Sequence, residues 1–253
     1  NIEALRFKST GRWWWKILWT YEKFVHRQAD MNFFITDEDR EFAVKNFSLN
    51  SSLCHTITYG FEISKPPLKS EKQEAKEVLQ KLYHLDAAEK ILLFNGTLDY
   101  KPNQDAIDNI LQQINPLLLS NKNLKYKIII CGKGLPAQYG ELKEYTSKNI
   151  IYAGFVDDIN IYFKGADMFI NPVTDGGGIK TKLVEALGSD LSVVSTMSGA
   201  IGVPVSITAN KLQIVADNDW KDFADTVFKT DTTSTISPAF FDHFYWGNIA
   251  EKV

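Results

Sequence analysis

From residue 90 onward the sequence alternates short apolar runs with amphipathic segments, and few folds accept that pattern. ILLFNG, YKIIICG, NIIYAG, DMFINP, LSVVST and LQIVA are continuous apolar runs, as expected of strands buried on both faces. DAIDNILQQINPLL, QYGELKEYTS, DDINIYFKGA and the lysine-rich segment after GGG read as the intervening helices. Buried strands separated by helices imply an α/β class with a parallel, doubly wound sheet, Rossmann-like in order.

The 253 residues are enough for one such domain and part of a second α/β domain. The expected boundaries are 1–62 for a first unit, 63–87 for a linker and helix, 88–235 for the alternating domain, and 236–253 for a helix crossing the molecule. In the first unit MNFFIT (31–36) and SLCHTITYG read as strands, and DEDREFAVKNF as a helix whose acidic first turn suits its dipole. Pro66 and Pro67 stiffen the connector, and a charged helix is expected after Ser70 with Gln73 closing a capping box. In the tail, Ser237 is the expected N-cap, Pro238 the first helical residue, and Phe241, Phe244, Tyr245 and Ile249 the apolar stripe. The chain starts at Asn with residues that look internal to a fold, so an upstream segment is expected.

RWWWKILWTYEKFVHRQ places Trp14, Ile17, Leu18, Tyr21 and Val25 on one helical face, which is expected to be core. Within the first 30 residues six Arg or Lys face three acids, beside Trp13, Trp15 and Trp19. Such a helix could be a buried element with a solvated rim, or it could rest peripherally on an anionic membrane surface.

A formal charge of -3 and a pI near 5.9 give no reason to expect a nucleic-acid partner. No stretch approaches the ~20 apolar residues of a membrane span, and no signal-peptide pattern is present. Cys54 and Cys131 lack disulfide or zinc spacing, which fits a reducing cytoplasm, at the inner face of the membrane if the Trp-rich helix docks there. His26, His55, His84 and His243 stand singly, and Asp157 and Asp158 read as helix-cap acids rather than metal ligands.

TDGGGIKTKLVEALG follows the DMFINPV strand, where ligands of doubly wound sheets sit. Gly176, Gly177 and Gly178 bare the backbone, and the helix starting near Ile179 turns free N–H groups toward the loop. Lys180 and Lys182 add positive charge, and Glu185 shares a helical face with Lys182. A carboxylate there can accept both hydroxyls of a ribose while a lysine meets phosphate. The competing description is a glycine-rich turn before a solvated helix. FNGTLDYKPN supplies Gly96, Thr97 and Lys101 to the same end of the sheet, although Lys101 also suits an ordinary surface position. CGKGLP has only GxG, short of a dinucleotide fingerprint.

Taken in order, ILLFNGTLDYKPNQDAI, IIICGKG, NIIYAGFVDDINIYFKGADMFINP and GGGIKTKLVEALGSDLSVVSTMSGAIG resemble the donor-binding half of the family 4 retaining glycosyltransferases, over about residues 88–230. That family has two facing Rossmann-like domains, the GT-B fold. Residues 1–62 are similar to the last part of its acceptor domain. The resemblance implies that Glu185 holds the ribose of a UDP- or GDP-linked sugar and that the backbone of Ile179, Lys180 and Thr181 meets the diphosphate or sugar. It also implies that the chain at Phe155 and Val156 lines the base. The chain departs from the pattern at Gly177, where the family often has a glutamate for the donor sugar. Thr97 stands for a phosphate-binding arginine, and Pro102, beside Lys101, for a lysine; Lys182 could supply the missing charge.

Transfer to a glycan or lipid-linked acceptor with retention, by front-face attack and without an essential metal or other cofactor, is the activity so implied. No catalytic side chain is assigned, because the family's acceptor-orienting histidine would precede residue 1. Two other readings stand beside it: a non-catalytic nucleotide-sugar-binding or scaffold subunit, suggested by Gly177, and a dinucleotide-dependent oxidoreductase, suggested by CGKG.

Overall fold

The computed structural model describes residues 2–9, 11–121 and 123–251. The first part contains α1 (Glu3–Ser9), α2 (Trp15–Gln28), β1 (Asn32–Phe34), α3 (Asp37–Phe47) and β2 (Cys54–Thr56). β1 and β2 form a two-stranded parallel sheet over a small core of Ile2, Ala4, Phe34, Ala43, Phe47 and Cys54. Thr36 caps α3 by accepting from Asp39 N at 3.1 Å, as the acidic start of that helix leads one to expect.

The expected core face of α2 is corrected. Ile17, Tyr21 and Val25 are exposed, while Leu18 and Trp19 pack inward. Polar side chains set this rotation. Glu22 accepts from the first amides of α1, Glu3 N and Ala4 N, at 2.8 and 3.1 Å. Lys23 Nζ and Arg27 Nε donate to Asn46 O and Phe47 O at the end of α3, at 3.0 and 2.7 Å. Both ends are where helix dipoles favour those charges. Trp19 then meets Phe42 and Phe47 edge-on, and His26 stacks between Phe34 and Phe47.

α4 (Lys69–Tyr83) begins earlier than expected, with Leu68 at the N-cap. Its amide donates to Glu71 Oε2 at 2.8 Å, while Gln73 bonds Glu77 instead. Gly165 lets α4 lie close, since a Cβ there would sit 2.8 Å from the Ala75 backbone.

The larger unit runs β3 (Lys90–Asn95), α5 (Lys101–Asn109), a widened turn at Ile110–Ile114, α6 (Asn115–Ser120), β4 (Tyr126–Cys131), β5 (Ile150–Gly154), α7 (Ile159–Gly165), β6 (Met168–Asn171), α8 (Thr181–Gly188), β7 (Ser192–Thr196), β8 (Leu212–Val215) and α9 (Trp220–Lys229). Residues 137–148 are short turns broken by left-handed Gly140, Glu141 and Leu142, not the single helix expected there. α9 was not anticipated, although Asp219 caps it and Phe223, Ala224 and Val227 give it a buried face.

The six strands are all parallel in the order β5-β4-β3-β6-β7-β8. Successive residues point to opposite faces, so one run feeds two cores. Ile91, Leu93, Ile129, Phe169 and Val193 meet α4, α7, α8 and the tail; Leu92, Phe94, Ile128, Ile130, Met168 and Val194 meet α5, α6 and α9. Each such large apolar side chain contributes about 1.5–3 kcal/mol. The fold is therefore the doubly wound α/β sheet read from the sequence, with a smaller α/β part beside it.

The tail is two short helices, α10 (Pro238–Phe244) and α11 (Trp246–Ala250), separated by extended Tyr245. Ser237 caps α10 with Pro238 first, and Phe240 joins Phe241, Phe244 and Ile249 in burial. The tail returns to the connector: Phe61 N donates to Phe244 O at 2.9 Å and Trp246 N to Phe61 O at 3.1 Å. Tyr59 and Phe61, before the expected boundary at 62, pack with the larger core.

Candidate functional site

The sheet reverses direction of winding between β3 and β6, the point where doubly wound sheets leave a crevice at their carboxyl ends. A cleft of about 240 Å³ occupies that crevice. One wall is Asn95 at the end of β3 with Gly96, Thr97, Tyr100, Pro102 and Asn103 after it; the other comes from Asn171 and Val173, the glycine loop and the start of α8. Asn109 Nδ2 ties the walls together by donating to Pro172 O at 3.1 Å. A larger cavity, about 460 Å³, lies among Phe33, Arg40, His55, His243 and Ile249, away from these strand ends. Location and chemistry, rather than size, single out the crevice.

The loop after β3 is fixed by Asn103, whose Nδ2 donates to Thr97 O at 2.9 Å, and by Leu98 N, which donates to Lys133 O at 2.8 Å. Across the cleft, Gly176 has φ +94, where a side chain would be strained, and a Cβ would approach Pro102 and the Tyr100 hydroxyl to 3.4 Å. Lys180 reaches back under this loop, donating to Gly176 O and to Gly178 O at 3.1 Å. Burial pushes its ammonium below the ordinary lysine value, against the pull of Asp175 and Asp39. Lys180 is also the N-cap of α8 and offers no side-chain cap to the first amides of that helix, whose residues Thr181 and Lys182 line the cleft. Among the described lining residues there is no Asp or Glu. The arrangement suits a polyanion.

One turn into α8, Lys182 Nζ bonds Glu185 Oε1 and Oε2 at 3.1 and 2.8 Å, and the Tyr59 hydroxyl donates to Oε1 at 3.2 Å. Tyr59 has its phenol pushed up to about 12, first by burial and then by the Glu185 charge.

Of the residues expected at the site, the cleft gathers Gly96, Thr97, Gly177, Ile179, Lys180, Thr181 and Lys182. Glu185 joins through Lys182. Gly178 faces a neighbouring cavity of about 280 Å³ shared with Asp39, Asp175 and Ser198. Lys101 does not line the cleft: it turns to Asp105 on its own helix, and its side chain is 72% exposed. Phe155 and Val156 follow β5, two strands away; Phe155 is 71% exposed and Val156 packs on the core. Asp158 caps α7, accepting from Asn160 N at 2.9 Å. Tyr59, Tyr100, Asn103 and Asn171 were not singled out. The YKPN run after the strand glycine carried a signal for two of them; Tyr59 carried none, because its partner lies far along the chain.

The model for glycosyl transferases group 1 matches residues 89–230, which include both walls of the cleft. The chain belongs to that family. This group 1 glycosyltransferase chain is 27% identical over 232 residues to a protein of Debaryomyces hansenii named chitobiosyldiphosphodolichol beta-mannosyltransferase, covering 87% of this chain and 49% of the yeast protein. It is similar in fold to a glycosyltransferase structure from Rickettsia africae (TM-score 0.68, 14% identity, 92% of this chain and 65% of that one). It is also similar to the Anabaena HepE structure in complex with UDP (TM-score 0.66, 17% identity, 88% and 62%). The chain thus spans about half the length of the yeast relative and less than two thirds of these structures. The fold they share is GT-B, as the resemblance implied.

Proposed function

We propose that this chain is the donor-binding part of a glycosyltransferase that moves a sugar from a UDP- or GDP-linked donor to a glycan or lipid-linked acceptor. The observation that carries the reading is the cleft at the switch point, whose described lining residues include no carboxylate, with Lys180 and the start of α8 on one side and the Lys182–Glu185 pair next to it. In this reading the diphosphate meets the α8 amides and lysines, and Glu185 accepts from the ribose hydroxyls. The UDP held by the Anabaena structure and the mannosyl transfer in the yeast relative's name support it.

Cleavage of the bond from the anomeric carbon to the diphosphate leaves negative charge on the leaving oxygen. Amides and lysines already aimed there stabilise that charge more in the transition state than in the ground state. The acceptor oxygen bonds to the anomeric carbon as the leaving bond breaks, and its proton passes to the leaving diphosphate oxygen. No protein nucleophile or essential metal enters this scheme. Retention belongs to it, because attack comes from the face of the leaving group; a product of inverted configuration would overturn that part. The yeast relative's name specifies a β-mannosyl product, which makes analysis of the product anomer a decisive check.

The partner surface we add is an anionic membrane. Ile17, Tyr21 and Phe24 form an exposed stripe along α2, and Trp13 is exposed in the turn just before it. Lys8, Arg12 and Lys16 lie against neighbouring rings. Among the described residues no helix is long and apolar enough to cross a membrane, so the contact would be peripheral.

The test of the donor reading is thermal unfolding with UDP and with GDP. One of them raises the midpoint in the wild-type chain, and Lys180→Met abolishes the rise; no shift with either nucleotide overturns the reading. Open space at Gly177, where no atom lies within 4 Å of a Cβ, keeps a non-catalytic binding subunit as the second reading. Turnover that releases nucleoside diphosphate excludes it.

A further inference from the structure

The segment Tyr59-Gly60-Phe61 lies across α8 at two points one turn apart. Phe61 packs an edge of its ring against Gly188, where a Cβ would come within 2.5 Å of it. Tyr59 reaches Glu185 of the same helix with its hydroxyl. Behind the segment, α11 closes the other side: a Cβ on Gly60 would sit 2.6 Å from the Trp246 ring, and the backbone of Phe61 is bonded to Phe244 and Trp246. The segment is thus held between two helices, and the Tyr59 hydroxyl reaches Glu185 from this anchored stretch.

A carboxylate offers about four acceptor positions. Lys182 engages both oxygens of Glu185 and Tyr59 adds a bond to Oε1. Tyr59 holds the orientation of the group, and the two positions that Lys182 occupies open when its ammonium turns to the diphosphate, so that each oxygen can then meet one of a pair of neighbouring hydroxyls. We propose that Tyr59 is a positioning residue: by hydrogen-bonding Glu185 from the connector, it presets the carboxylate for a vicinal diol, the ribose of a nucleoside diphosphate. This rests on the donor reading above and adds a residue outside the sheet unit to it.

The experiment compares the affinities of UDP and GDP with those of their 2′,3′-dideoxy forms, by calorimetric titration of the wild-type chain and of Tyr59→Phe and Glu185→Gln. Wild type prefers the ribose form, and Glu185→Gln removes the preference. Tyr59→Phe lowers it by about tenfold, the size of one hydrogen bond to a charged group, while affinity for the dideoxy nucleotide stays unchanged. A purely structural role predicts equal weakening of both forms; that result, or no change in either, overturns the inference while leaving the donor site intact. Absence of any ribose preference in the wild-type chain overturns the ribose assignment and this inference with it.

Discussion

The α-carbon of Gly132 lies so close to Gly96 that a Cβ on it would stand 1.9 Å from the Gly96 carbonyl oxygen. The loops after β3 and β4 are therefore stacked backbone on backbone, with Gly132 N also donating to Gly154 O at 2.8 Å. Gly132→Ala must push the β3 loop out of the cleft wall. Strain of this kind costs of the order of 1–3 kcal/mol. Urea unfolding should show that loss, and nucleotide should no longer raise the thermal midpoint.

Lys180 gives the site an alkaline limit. Its pKa lies below the ordinary lysine value because the side chain is buried; its ammonium donates to the glycine-loop carbonyls and, on the donor reading, also meets the diphosphate. The charged form exists below that lowered pKa, so affinity for nucleoside diphosphate is full on the acid side and falls as pH rises through it. The fall begins below the ~10.4 of a free lysine. Titrations across this range should show it in the wild-type chain and lose it in Lys180→Met, whose affinity is low throughout.

Far from the cleft, Lys211 is 1% exposed in its side chain and is paired with Asp190. Lys211 Nζ also donates to Asp190 O at 2.9 Å, Lys72 bonds the same residue, and Asp190 Oδ1 accepts from Ile236 N at 2.8 Å. Asp190→Ala leaves a buried cation without its partner, a change that costs about 3–5 kcal/mol. The double variant with Lys211→Met should recover most of that stability. Equal destabilisation in the single and double variants, measured by urea unfolding, would contradict this account.

The stripe on α2 predicts co-sedimentation with phosphatidylglycerol vesicles but not with phosphatidylcholine vesicles, reversed by high salt. Ile17→Glu and Tyr21→Glu should abolish it without lowering the thermal midpoint, since both side chains are exposed. Binding that survives both changes, or no binding at all, removes the membrane from the picture.

The larger sheet was legible because its inner strands β3, β4 and β6 carry apolar runs, a pattern that burial on both faces explains. The glycine loop was legible too, since Gly176 and Gly178 take left-handed φ values that other residues avoid. Lys101 takes the surface position that was its alternative, because a carboxylate four residues on, Asp105, competes locally for its charge. The rotation of α2 was hidden for a different reason. Its inward face is chosen by Glu22, Lys23 and Arg27 bonding helix ends elsewhere in the chain, and no helical periodicity records that. Tyr59 was invisible by the same logic, its hydrogen bond to Glu185 being set only when the connector folds over α8.

Leu92 pairs directly with Met168, so strands far apart in sequence must meet before the two walls of the crevice exist. On the donor reading, ligand capture is then a property of the finished sheet and cannot emerge from either half of it. A nascent chain released before β6 has joined β3 would carry every glycine and asparagine of the first wall and still hold nothing, so nucleotide protection would report completed assembly.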